Sequence, residues 1–231
     1  MSDYLSPHYA QSVLIIIDFQ NDCVLPGGAM EIPSSIDVLP ALTTLCQHMR
    51  NIGRPIFHIV RAYLPDSSNA DLCRRSILEA GTSLLAPYSR GADFPDTLKP
   101  MDAPVLDWNA LLEGNEQLLG GCDHVIYKPR WGAFYQTPLE HALRTLSIDT
   151  LIFAGCNFPN CPRTSMYEAS ERDFRLVLAQ DAMSGLYQQG MDELKNIGVT
   201  ITNSQDIISA SSKADGQKPA PNSISASVKA F

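Results

Sequence analysis

Ser12-Val13-Leu14-Ile15-Ile16-Ile17, running straight into Asp18-Phe19-Gln20-Asn21-Asp22, is the stretch that decides the fold. Five consecutive branched apolar residues, with no polar alternation, suit a strand buried on both faces of a parallel sheet. The same kind of run returns along the chain at Pro55–Val60, Asp123–Lys128, Thr150–Ala154, Arg175–Ala179 and Val199–Thr202. Helical patterns fall between them. Val38, Leu42, Leu45 and Met49 share one helix face, behind a cap at Ser35 or Asp37 and ahead of a stop at Gly53. Further helices are expected in 66–78 after a loop, at Thr137–Leu146, Cys161–Asp173 and Gln189–Ile197, with one last turn at Ser204–Ala210. Gly81–Trp108 reads as irregular, being rich in proline and glycine. Strands alternating with helices imply βαβ units with right-handed crossovers. The expected fold is α/β, a three-layer α/β/α architecture with a central six-stranded, mostly parallel sheet. Residues 1–11 form a leading segment, 12–210 the domain. Ser211–Phe231, poor in core-forming residues, is expected to be a mobile tail.

Composition narrows the function. The chain has 231 residues, with 17 Lys+Arg against 25 Asp+Glu and a net charge of −8. A nucleic-acid partner, which wants a basic face, is not expected. Residues 1–11 show no signal-peptide pattern, and no apolar run approaches the roughly 18 residues of a membrane span. The expected location is the cytoplasm, with no membrane partner. Six scattered cysteines without a Cys-X-X-Cys pair read as free thiols.

Ligands of open α/β sheets bind beyond the carboxyl ends of the strands. The first strand delivers Asp18 there, the third Lys128, and the fourth the loop Gly155–Asn160 and then Cys161. Cys161 precedes Pro162, a residue favoured in the first helical turn, so the thiol is expected at or near a helix N-cap. The helix dipole and the Lys128 ammonium would lower its pKa. Asp18 could move the thiol proton, and the first helical N–H groups could receive an oxyanion. Each residue taken singly has a plain structural reading: a turn aspartate, a surface-seeking lysine, a buried cysteine. Together they suit acyl transfer to sulfur followed by hydrolysis.

Three segments carry a family resemblance. Val13–Asp22 resembles the opening motif of the isochorismatase-like cysteine hydrolases, Tyr127–Phe134 their lysine segment, and Leu151–Thr164 their nucleophile segment. Asp181-Ala182 matches the pair found after the following strand. The resemblance implies a catalytic triad of Asp18, Lys128 and Cys161. It also implies a cis peptide ahead of the nucleophile, by position Cys156-Asn157, which turns the Asn157 N–H toward the oxyanion beside that of Cys161. A homodimer or homotetramer is implied, and no cofactor. Asn157-Phe158-Pro159-Asn160 departs from the family pattern, as does Cys23 where phenylalanine is frequent. The nicotinamidase branch holds a metal with histidines after the second strand. Residues 61–75 contain none, so no metal is expected.

The leading expectation is a metal-independent amidohydrolase acting on a small amide or carbamoyl substrate. Gln20, Arg61, Asn69, Trp131, Phe134, Tyr135 and Asn160 are the candidates to line its pocket. Arg74 and Arg75 read equally as holders of a substrate carboxylate or as a solvated helix face or subunit contact. Alternatives are an isochorismatase-type or nicotinamidase-type hydrolase, a non-catalytic binding protein, and a redox pair of Cys161 with Cys156.

Overall fold

The computed structural model describes residues 3–216. Seven strands form one sheet: β1 (Ser12–Ile17), β2 (Ile56–Val60), β3 (Gln117–Gly120), β4 (Asp123–Tyr127), β5 (Thr150–Gly155), β6 (Arg175–Met183) and β7 (Thr200–Thr202). Their spatial order is β3-β4-β2-β1-β5-β6-β7, parallel throughout except for the β3–β4 pair. The helices are α1 (Asn21–Val24), α2 (Leu39–Asn51), α3 (Leu72–Glu79), α4 (Trp108–Leu112), α5 (Leu139–Thr145), α6 (Cys161–Ser170), α7 (Gln188–Asn196) and α8 (Ser204–Asp215).

All six residues of β1 are buried, as are all six of β5. Their side chains alternate between two cores. Leu14, Ile16, Ile152 and Ala154 face Leu42, Leu45 and Met49 of α2, Trp108 of α4 and Ile207 of α8. Val13, Ile15, Ile17 and Phe153 face Leu139 and Leu143 of α5, Met166 of α6 and Leu194 of α7. An unbroken apolar strand is thus the consequence of helices on both sides of the sheet.

Two expectations are corrected. The sheet has seven strands, not six. The added β3 is a short edge strand in which only Leu119 is buried, so no apolar run announces it. The last helix does not end near Ala210 but runs to Asp215. Ser211 is fully buried, donates to the Ile207 carbonyl (2.7 Å) and meets His48 Nε2 (2.8 Å). A polar residue is held there by hydrogen bonds rather than by apolar burial. The rest of the expected tail, 217–231, lies outside the described residues.

From β1 the chain builds outward through β2 to β4, then returns to the other side of β1 with β5. This reversal opens a crevice beyond the carboxyl ends of β1 and β5, where such sheets bind ligands.

Candidate active site

Asp18 is the first residue after β1. Its φ of +49° places a non-glycine residue in the left-handed region. Backbone contacts hold it there: its N–H donates to Ile59 O (2.9 Å), and its carbonyl accepts from Gln20 N (2.9 Å) and from Cys156 Sγ (3.0 Å). Lys128 follows β4 and is 1% exposed. Its Nζ lies 2.9 Å from Asp18 Oδ2 and donates to Arg130 O at 3.1 Å. The Cys161 thiol interacts with both Asp18 and Lys128. Three residues separated by up to 143 positions thereby meet at one crevice. Asp18 Oδ1 is buried and has no hydrogen-bond partner among the described residues.

Cys161 is the first residue of α6, with Asn160 at the N-cap and Pro162 at the second position. The thiol therefore sits at the helix start, next to the N-cap, as expected. Its expected downward pKa shift is corrected. Burial, reinforced by the Asp18 carboxylate, pushes the Cys161 thiol up, and Lys128 only partly offsets this. Burial also works against the Lys128 charge, but Asp18 and Cys161 outweigh it and raise the ammonium above its ordinary value. The site thus holds an ammonium–carboxylate pair beside a protonated thiol.

The peptide bond between Cys156 and Asn157 is cis. The Asn157 and Cys161 N–H groups have no backbone acceptor among the described residues. The lysine segment is anchored by α6 itself: Ala133 N donates to Ser165 Oγ (3.0 Å) and Phe134 N to Glu168 Oε2 (3.0 Å). Ser165 and Glu168 were not singled out from sequence. Their signal was their spacing, one and two helical turns beyond Cys161 on the same face.

These groups open on a cavity of about 480 Å3, counted to its open mouth. Of the expected pocket residues, Arg61, Trp131 and Asn160 line it, together with Arg74. Tyr63, Met30, Ile32 and Leu85 complete its walls, contributed by loops whose approach depends on tertiary structure. Four expected residues lie elsewhere. Gln20 is fully buried and spends its amide on Arg61 O (2.8 Å), Ala92 O (2.5 Å) and the Arg61 N–H (2.7 Å), tying two strand ends together. Asn69 bonds to Leu64 N, Ala62 O and the Tyr127 hydroxyl. Phe134 packs in the second core against Phe174, and Tyr135 is exposed to solvent.

Cys156 and Cys161 are both free thiols, and the Cys156 S–H is occupied by the Asp18 carbonyl. Among the described residues no group of three or more His, Cys, Asp or Glu is placed to hold a metal ion, and no helix is long and apolar enough to cross a membrane.

The sequence model of the isochorismatase domain matches residues 12–206. The chain is 24% identical over 200 residues to a "probable inactive nicotinamidase" of Arabidopsis thaliana, covering 84% of this chain and 93% of that one. It is 25% identical over 203 residues to a ureidoacrylate amidohydrolase of Methylobacterium radiotolerans, covering 80% and 70%. Among solved structures, an isochorismatase family protein from Desulfovibrio vulgaris superposes with a TM-score of 0.74 at 26% identity, covering 87% of this chain and 97% of that one.

Proposed function

This chain belongs to the isochorismatase family, and from that premise we propose that it is a cysteine amidohydrolase acting on a small amide or carbamoyl compound. The observation that carries this reading is the Lys128–Asp18 pair at 2.9 Å lining one cavity with Cys161. One carboxylate oxygen is held by lysine, and the other makes no hydrogen bond among the described residues, which leaves it available to accept the thiol proton.

Asp18 takes the thiol proton as Sγ attacks the carbonyl carbon, so no standing thiolate is needed. The Asn157 and Cys161 N–H groups receive the oxyanion, and Lys128 supplies positive potential beside it. Asp18 returns the proton to the leaving nitrogen, which departs as ammonia or an amine. Water, deprotonated by Asp18, then attacks the thioester; the C–S bond breaks, the acid is released, and Asp18 passes the proton back to the Cys161 sulfur, restoring the thiol. Lys128 holds the Asp18 carboxylate in place between steps through the 2.9 Å ion pair. No metal is required for any of these roles.

The test is a screen of primary amides and ureido acids, nicotinamide included, in EDTA, reading released ammonia. A Cys161→Ala variant that keeps its circular dichroism spectrum is expected to lose at least about a thousandfold in kcat/KM. A thioester adduct should be detectable by mass spectrometry in the wild type. Turnover retained by the folded variant overturns the mechanism. Activity that appears only with added divalent metal moves the reading to the nicotinamidase type.

A further inference from the structure

Six charged residues line the cavity: Asp18, Arg61, Asp71, Arg74, Lys128 and Arg130. Two pairs cancel. Lys128 is paired with Asp18 at 2.9 Å. Arg61 is paired with Asp71 at 3.2 Å, is nearly buried, and lies over the Tyr63 ring at 4.5 Å. Among the described residues the Arg130 side chain donates only to the neutral carbonyls of Asn69 and Pro129 and has no counter-charge. The Arg74 backbone N–H donates to Asp71 O (2.8 Å), but its side chain makes no hydrogen bond or ion pair among the described residues. Its neighbour Arg75 is exposed and does not line the cavity. The crevice therefore carries an excess of two positive charges in a chain whose net charge is −8. Such a local field, opposite in sign to that of the whole molecule, selects the ligand that enters.

The guanidinium of Arg74 has its whole donor fork available. That fork matches a carboxylate or another planar oxyanion bidentately. Met30, Ile32 and Leu85 give the same cavity apolar walls, which suit a short carbon skeleton rather than a polyanion. We propose that Arg74 is a specificity-determining residue that receives the anionic group of the substrate, so that acidic amides are taken in preference to neutral amides of the same size. The substrate class rests on the hydrolase reading; the charge preference of the cavity does not.

The two can be tested apart. Alkylation of Cys161 by iodoacetate and by iodoacetamide, mapped by peptide mass spectrometry at pH 9 and low salt, reads the preference without a substrate. Arg74→Gln is expected to lower the iodoacetate-to-iodoacetamide rate ratio about fivefold, the effect of one charge in a partly solvated cleft. Arg74→Lys, which keeps the charge, should retain most of the wild-type ratio. High salt should shrink the difference. An unchanged ratio in Arg74→Gln overturns the proposal. In the hydrolysis assay, Arg74→Gln should raise KM for succinamate at least about fivefold while leaving the KM for butyramide near the wild-type value. Equal shifts for both also overturn it. Hydrolysis of no amide by the wild type would end the hydrolase reading and leave the alkylation ratio to decide on Arg74.

Discussion

Asp18 occupies an unusual backbone position, with a φ of +49°. A left-handed aspartate costs roughly 1 kcal/mol relative to an extended one, so its neighbours must specify it. Cys156 is one of them, because its S–H donates to the Asp18 carbonyl from a fully packed position. Under the proposed mechanism Cys156 is thus a positioning residue for Asp18. Cys156→Ala should lower kcat about tenfold with little change in KM, and Cys156→Ser, which restores a donor, should recover most of it. Equal loss in both variants would show that Cys156 only fills space. Which residues meet at this crevice was legible in the sequence, since each follows a buried strand or opens a helix. The protonation state of Cys161 was not. Helix position and a nearby lysine argue for a lowered pKa, but burial acts the other way and is a property of the assembled site. An alkylation pKa for Cys161 above the ordinary thiol value of 9 is expected, and a value below about 8 would reverse the assignment of Asp18 as proton acceptor.

At the scale of elements, β5 must end beside β1 for the Cys156–Cys161 loop to reach Asp18. Gly155 makes that approach possible. Its φ is +119°, and a Cβ built there would lie 2.3 Å from Ile17 O and 2.7 Å from Ile17 N. Neither neighbour is a flexible side chain. Gly155→Ala is expected to destabilise the fold by about 2 kcal/mol or more and to depress kcat in the molecules that remain folded. A melting temperature equal to that of the wild type would show that the β1–β5 spacing is slack. The strands that build the site could be read from sequence because they are buried on both faces. β3 could not, as an edge strand with one buried residue has no such pattern. The length of α8 was hidden for a related reason: Ser211 is a core residue by virtue of His48, which lies 163 positions away.

The whole molecule is polar along its strands. Chemistry occupies the carboxyl ends, while the amino-terminal side carries a buried ionic cluster. Arg50 grips Asp123 with two hydrogen bonds, of 2.8 and 2.7 Å, and His58 Nε2 meets the same carboxylate at 2.9 Å. His58 also stacks on Phe94, with centroids 4.5 Å apart. Burial pushes His58 below its ordinary value, more than Asp123 raises it. Burial alone would raise Asp123, but the bonds from Arg50 and His58 outweigh it and hold the carboxyl below its ordinary value. Both shifts act in one direction. Below about pH 6.5 the unfolded chain takes up a proton at His58 that the folded protein refuses, and below about pH 4 it does the same at Asp123. Stability from this cluster is therefore complete above pH 7 and is lost as the pH falls. Asp123→Asn leaves Arg50 without its counter-charge and should cost about 3 kcal/mol at pH 7.5, or about 10 °C in melting temperature. The gap to wild type should narrow as the pH drops below about 4, since the unfolded wild type then takes up a proton at Asp123 that the folded protein refuses. The folded fraction of the variant should turn over substrate within about twofold of wild type, because no strand-end residue has moved. A gap that stays constant with pH would mean that Asp123 contributes shape rather than charge, and thermal unfolding monitored by circular dichroism from pH 7.5 to 3.5 distinguishes the two.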